Sequence, residues 1–271
     1  MSTKTENAEK ARRWRMEIED HDSFCKYISN SLKNTKVVQD TLLSHGDMRY
    51  IKQKAKLRKE VKSVAEVIVN SRTTYEELKR QYDDKMPQIG VLNFASYFNP
   101  GGGFTKGAIA QEESLCHVSG LYEILRNLPV YEERKAAENI PAEYRSELIY
   151  SPMVPFTMNE GSCGPVYLVD VVSCAAPNCN RIPISRLKEY YKILKHRIEA
   201  IYCMPYIEGC TKVILGAWGC GVFKNDPNVV ARMFNDCNNR YGVLYDEVIY
   251  AIPNDKMEQI FAEVFRKGEV M

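Results

Sequence analysis

Two adjacent carboxylates, Glu112 and Glu113, follow Gln111 at the start of an apolar series, Leu115, Val118, Tyr122 and Leu125, that has helical spacing. Successive helical residues point about 100° apart, so the two carboxylates cannot occupy one position and take different tasks. Such a pair can serve general acid–base chemistry, and the helix N-terminus around it offers N–H groups to anionic oxygens. An acidic first turn is also ordinary compensation of a helix dipole. The neighbourhood decides between the two. Asn99-Pro100-Gly101-Gly102-Gly103-Phe104 follows an apolar run, Gly90 to Ala95, and seven residues separate Gly103 from Gln111. Three consecutive glycines are costly unless the backbone must turn with positive φ or approach a ligand with no Cβ in the way.

A second glycine segment, Gly216-Ala217-Trp218-Gly219-Cys220-Gly221-Val222-Phe223, lies between the run Lys212 to Gly216 and a helix start at Asp226-Pro227. Strand, glycine loop and helix start together can aim N–H groups at a diphosphate. The segment is neither GxGxxG nor a P-loop. Trp218 reads as a core aromatic. Ser173-Cys174-Ala175-Ala176-Pro177-Asn178 closes another strand-like run.

These segments need a scaffold that brings strand ends together. Strands are predicted at Val64 to Val69, Gly90 to Ala95, Val166 to Ser173, Lys212 to Gly216 and Glu247 to Ile252, with a further one at Ser146 to Tyr150. Thr74 to Tyr82 reads as a helix opened by a Thr cap. Amphipathic helices carry Leu115 to Leu125, Leu187 to Ile201 and Val230 to Tyr241. The alternation predicts an α/β domain over residues 62–271, preceded by a helical extension over residues 1–61. In that extension Thr5 to Ser31 forms one surface helix with a narrow stripe, Ala8, Ala11, Trp14 and Ile18. Asp47 to Lys62 forms another, in which Lys52, Lys54, Lys56, Arg58, Lys59 and Lys62 oppose only Glu60. That basic cluster is a solvated face or a contact for a polyphosphate. Leu128 to Arg145 reads as a polar surface insertion.

Composition narrows the function classes. In 271 residues, 45% hydrophobic and 27% charged, a packed globular fold is expected. A net charge of only +2 gives no global field to hold nucleic acid. Nine scattered cysteines make no disulfide framework, and Cys174 with Cys179 makes no zinc pair, so they read as reduced core thiols. No stretch suits a signal peptide or a membrane span, so the cytosol or nucleus is expected.

Three glycines, a short spacer and QEE together resemble the signature of the poly(ADP-ribose) glycohydrolases, and the string from Val91 to Cys116 is similar to their compact microbial-type branch. The resemblance runs from Val64 to about Pro253. It implies a macrodomain-like three-layer α/β/α fold with a mixed central sheet, in which Glu113 protonates the departing 2′ oxygen and then directs water, while Glu112 positions the ribose. It implies substrate contacts at Gly101, Gly102, Gly103, Phe104 and Gln111, and a diphosphate loop at Gly219, Cys220, Gly221 and Val222 with Phe223 packed on ribose or diphosphate. Asn178 becomes a rim contact. Asn93, Ser96 and Asn99 lie where related enzymes place polar groups for the distal ribose, with Ser96 and Asn99 competing. His117 reads as a satisfied helix histidine. A helix N-terminus favours an ionised carboxylate, so desolvation or substrate phosphate has to keep a proton on the general acid.

The resemblance further implies no metal and no cofactor, cleavage from chain ends, and as partners poly(ADP-ribose) and poly-ADP-ribosylated proteins, with no DNA-sequence recognition, no membrane and a monomeric state. The alternatives are a macrodomain that binds ADP-ribose without cleaving it, or a hydrolase of a mono-ADP-ribosyl or acetyl-ADP-ribose conjugate.

Overall fold

The computed structural model describes residues 3–38, 45–59, 65–82, 88–137 and 147–268. Its strands are β1 (Lys36–Val38), β2 (Glu66–Asn70), β3 (Ile89–Phe94), β4 (Leu148–Thr157), β5 (Val166–Cys174), β6 (Lys212–Leu215) and β7 (Glu247–Ala251). Among the described residues these form one mixed sheet in the order β1-β4-β5-β3-β6-β7-β2. β5, β3, β6, β7 and β2 run parallel, whereas β4 is antiparallel to β5 and β1 to β4.

Side chains alternate across the central strands, and this divides the core in two. Leu92, Val213, Leu215, Val248 and Tyr250 face one layer, built by α3 (His45–Lys59), α8 (Leu187–Ile207), α9 (Pro227–Tyr241) and α10 (Asp255–Gly268). Val91, Ile214, Ile249 and Ala251 face the other, built by α1 (Thr3–Glu19), α2 (Asp22–Asn34), α4 (Thr74–Gln81), α5 (Gln111–Cys116), α6 (Leu121–Leu125) and α7 (Val130–Ala136). The expected α/β/α sandwich is therefore present. Near-continuous apolar strands such as β3 follow from burial on both faces. The Thr cap at α4 is a full capping box, with Thr73 and Glu76 each satisfying the other's backbone N–H.

Several elements differ from the sequence expectation. The single N-terminal helix is two, broken at Asp20–His21, where the His21 ring accepts from Phe24 N. Its stripe packs as expected: Ala11, Trp14 and Ile18, joined by Phe24 and Ile28 of α2, enter the second core layer, and Trp14 Nε1 donates to Ser119 O at 3.1 Å. The extension also contributes a strand, β1. The helix expected over Leu115 to Leu125 splits into α5 and α6 because Gly120 N donates to Pro155 O and an added Cβ at Gly120 would meet Ile28 at 2.5 Å. β4 is twice the expected length. Pro152 and Pro155 obscured it, and a bulge between Ser151 and Val154 accommodates them, with Met153 at φ 52.

The polar insertion contains α7, whose Val130, Tyr131 and Arg134 are buried; residues 138–145 of that expectation lie outside the described residues, as do Ser146 of the expected strand, Val64 and Lys62. α3 packs beside the turn Gly242–Leu244, which leads into the N-terminal end of β7. Its lysines thus lie at the end of the sheet away from the glycine turns. Among the described residues no helix is long and apolar enough to cross a membrane.

Candidate active site

Parallel strands place their C-terminal ends along one edge, and the chain leaves β3 toward β4 and β5 but leaves β6 toward β7. A crevice opens where those directions diverge. Here it is a cleft of about 530 Å³ lined by Phe94, Ala95 and Ser96 after β3, Ala176 after β5, Ala217 to Gly219 and Gly221 to Phe223 after β6, and Ala251 to Asn254 after β7. Gly102, Gln111, Glu112 and Glu113 form part of its wall.

The glycine turn is shaped for the carboxylates. Gly101 and Gly102 have φ 66 and 62, the left-handed region that glycine enters without a Cβ penalty. A Cβ on Gly102 would overlap Glu113 Oε1 and stand 3.0 Å from Glu112 Oε2, and one on Gly101 would stand 2.7 Å from the Tyr122 ring. Gly103 N donates to Glu113 Oε1 at 2.7 Å. Gln111 fastens α5 to β3 in the manner of a staple: its Oε1 accepts from Phe94 N at 2.8 Å, and its Nε2 donates to Leu92 O at 2.7 Å. The carboxylates of α5 are thereby held at the end of β3.

Their environments are unequal. Glu112 Oε2 accepts from Ser96 N at 2.7 Å and Oε1 from Asn93 Nδ2 at 3.3 Å. Burial, opposed by those hydrogen bonds and reinforced by the charge of Glu113, pushes its carboxyl up to about 8. Glu112 therefore holds a proton at neutral pH. Glu113 is 7% exposed, and its Oε2 is buried with no hydrogen-bond partner among the described residues. One oxygen is thus pinned and the other is available.

The second loop is held by a residue that sequence reasoning missed. Asn225 is buried and donates to Pro177 O and Gly219 O, both at 3.0 Å, while Tyr190 OH donates to Asn225 Oδ1. Gly219 has φ 75, and a Cβ there would press on Asn225 and Ala176. Cys179 N and Asn180 Nδ2 grip the carbonyls of Phe223 and Val222. Trp218 is a core aromatic, with Nε1 donating to Cys174 O at 2.9 Å.

The sequence-derived residues divide as follows. Ser96, Gly102, Gln111, Glu112, Glu113, Gly219, Gly221, Val222 and Phe223 line the cleft. Of the two competing polar groups, Ser96 lines it and Asn99 is an exposed turn residue whose N–H donates to Ser96 Oγ. Asn93 is fully buried and bonds Glu112 and Ser173 Oγ, which makes it a support of the carboxylate. Phe104 is buried in the core, its ring 4.8 Å from His117 and 5.0 Å from Tyr122, so in this arrangement it packs the turn from behind. Gly101 is buried beneath Tyr122. The Cys220 side chain points inward, its thiol donating to Trp218 O and pushed up by burial to about 12. Asn178 Oδ1 is engaged by Asn180 within its own turn. His117 is half-buried, and burial lowers its pKa.

Thr73, Thr74, Asn254 and Met257 also line the cleft, and nothing in their local sequence marks them. Arg134 was missed as well. Buried behind the turn, it donates to Tyr97 O at 3.1 Å and Glu147 at 2.8 Å, between the rings of Tyr97 and Tyr131. It fixes the peptide beside Ser96.

The sequence profile of the family described as Microbial-type PARG, catalytic domain, matches residues 3–159. That match takes in α1 and α2, which the sequence resemblance had left out. Among solved structures, a poly(ADP-ribose) glycohydrolase from Thermomonospora curvata superposes with a TM-score of 0.75 at 27% identity, covering 95% of this chain and 99% of that one. The same organism's enzyme bound to the inhibitor ADP-HPD gives 0.74 at 27% identity, covering 94% and 98%. The enzyme from Deinococcus radiodurans in complex with ADP-ribose gives 0.71 at 30% identity, covering 89% and 96%. No curated protein matches the chain.

Proposed function

We infer that this chain, which belongs to the microbial-type poly(ADP-ribose) glycohydrolase family, cleaves its substrate through Glu113. It is a glycosidase that hydrolyses ribose–ribose O-glycosidic bonds of poly(ADP-ribose). The observation that carries the assignment is the split state of Glu113: Oε1 held by Gly103 N, Oε2 buried in the cleft wall without a partner. A buried unpaired oxygen is costly unless it has work with a ligand.

In the proposed reaction the Glu113 carboxyl gives its proton to the departing 2′ oxygen as the bond from that oxygen to the anomeric carbon breaks. Water then adds to the oxocarbenium-like carbon and returns a proton to Glu113. Glu112, neutral and held by Ser96 N and Asn93, positions the ribose without adding a second charge. The N–H groups of the Gly219 to Phe223 loop hold the diphosphate, and Phe223 covers it. Holding both ends of the terminal unit in register lowers the entropic part of the barrier. Support for chain-end cleavage comes from the likeness to the compact microbial enzymes.

We also propose poly-ADP-ribosylated proteins as partners, a monomeric state, and action in the cytosol or nucleus. Residues 1–61 are proposed as a segment distinct in sequence texture that nevertheless folds onto the catalytic core.

The test is incubation with defined polymer. Wild type releases ADP-ribose, and Glu113→Gln binds polymer but loses at least about a hundredfold in kcat, the scale of a lost general acid. Binding without release by wild type would make it an ADP-ribose reader, and release only from mono-modified protein would make it a hydrolase of that conjugate.

A further inference from the structure

A second concavity lies on the other side of the glycine turn from the cleft. It measures about 630 Å³ and is lined by Ala8, Glu9, Arg12, Arg13, Arg15 and Thr105. α1 builds it by lying directly on the turn: a Cβ at Gly107 would overlap the Lys4 carbonyl. Arg12 and Arg13 share a single carboxylate, Glu9, with bonds of 2.7 and 3.1 Å. Arg15 binds Glu123 at 2.7 Å and lies 5.2 Å over the Tyr122 ring, the same ring that covers Gly101. Two guanidinium groups, those of Arg12 and Arg13, therefore share the one carboxylate of Glu9, while Arg15 is held by Glu123.

Its place relative to Glu113 gives it meaning. The diphosphate loop lies across the cleft from the glycine turn, so a terminal ADP-ribose runs from that loop to Glu113, and whatever it is attached to continues past the turn. Gly103 N touches Glu113, and Thr105 is two residues further on, at most about 7 Å of chain. On the polymer side, one ribose ring separates the departing 2′ oxygen from the 5′ diphosphate of the unit that leaves. The concavity thus begins within a few residues of the contact to the carboxylate that acts on the bond, on the side of the leaving unit.

We propose that the α1 concavity, through Arg12 and Arg13, binds the diphosphate of the penultimate ADP-ribose unit and so makes the enzyme prefer polymer over a single terminal unit. The proposal rests on the glycohydrolase reading above. Arginine forks suit diphosphate oxygens, and at an exposed site they add affinity that salt weakens. Glu9 competes with the ligand for the same guanidinium groups.

The experiment compares full-length wild type, Arg12→Ala/Arg13→Ala and Glu9→Gln in steady-state hydrolysis of defined-length polymer between 50 and 200 mM salt, together with calorimetric binding of free ADP-ribose. Both arginines are on the solvent face of α1, so folding is retained, as a melting curve will verify. The double variant is expected to raise KM for polymer roughly three- to tenfold, to flatten the salt dependence of log KM by about 1 to 2, and to leave kcat and the ADP-ribose Kd unchanged. Glu9→Gln lowers KM. Equal KM values and salt slopes in wild type and the double variant would overturn the proposal while leaving the glycohydrolase reading intact. Failure of wild type to release ADP-ribose from polymer would remove that reading, and the proposal with it.

Discussion

Replacing Glu112 with glutamine should stabilise the protein at alkaline pH, by an amount the structure sets. The carboxyl of Glu112 is 3% exposed and has been pushed from an ordinary 4.5 to about 8 by burial, with Glu113 adding to the effect. Between those values the unfolded chain has released the proton and the native protein keeps it. Native stability therefore falls as pH rises through that window, by about 1.4 kcal/mol per pH unit for a fully uncoupled group, and becomes flat again above about pH 8. The integrated loss for an uncoupled group is on the order of 5 kcal/mol, of which coupling to Glu113 returns a part, leaving roughly 2 to 4 kcal/mol as the expected difference. Glutamine has the same shape and no proton to lose. Its Oε1 can accept from Ser96 N, and once the Asn93 amide turns, its NH2 can donate to Asn93 Oδ1, which is buried without a partner among the described residues. Thermal melts of wild type and Glu112→Gln from pH 5 to pH 9 are the assay. At pH 5 the two should melt close together; at pH 9 the variant should melt several degrees higher, at about 2 °C or more per kcal/mol for a chain of this size. Parallel melting curves across the whole range would refute the assignment of a neutral Glu112.

Two further outcomes test the scaffold. Gly102→Ala places a methyl group against Glu113 Oε1 at a backbone with φ 62; a left-handed cost of about 1 to 2 kcal/mol is expected in stability, together with a loss of activity at least about a hundredfold, since a 1 Å displacement of the acid is enough for that. A stable Gly102→Ala enzyme with native kcat would show that the turn tolerates a side chain. Trp14→Ala removes a fully packed indole and its bond to Ser119 O, so a single melting transition lowered by about 3 to 5 kcal/mol is expected. Two transitions, one at the native temperature, would instead mean that residues 1–61 unfold on their own.

The parts of the fold legible in the sequence were those governed by short-range pattern. β3, β5, β6 and β7 stood out because strands buried on both faces are runs of Val, Ile and Leu, and α8 and α9 because their apolar faces keep helical phase. β1 has three residues and gains its identity only from pairing with β4, which no local pattern encodes. The burial of Trp14 depends on Ser119, 105 residues away. At the site, Glu112, Glu113 and the two glycine loops were visible because backbone constraint and charge appear together in short strings. Asn225 and Arg134 were not, since a single Asn after a glycine loop, or a single Arg in a charged segment, looks the same whether it is solvated or ties two segments together. For Phe104 the place beside the glycines was legible, but the direction of its ring, toward His117 and Tyr122, was set by the far side of the turn.

The two carboxylates form one unit because neutralising the first leaves the second free to act alone. Two ionised carboxylates this close in a desolvated wall would repel one another, so one of them must carry a proton. Burial, which is deeper at Glu112, raises the pKa of that carboxyl, so Glu112 is the one that favours the protonated form. A protonated Glu112 also needs an acceptor, and Asn93 Oδ1 is the unpartnered one beside it. Turning the Asn93 amide would let Glu112 donate to Oδ1, with Ser173 Oγ, now an acceptor, switching to donor. The proton on Glu112, the amide of Asn93 and the hydroxyl of Ser173 then change state together, none of them in contact with bulk water. The arrangement isolates that proton from the one Glu113 exchanges with substrate, so the reaction can cycle a single proton through Glu113 while its neighbour stays neutral.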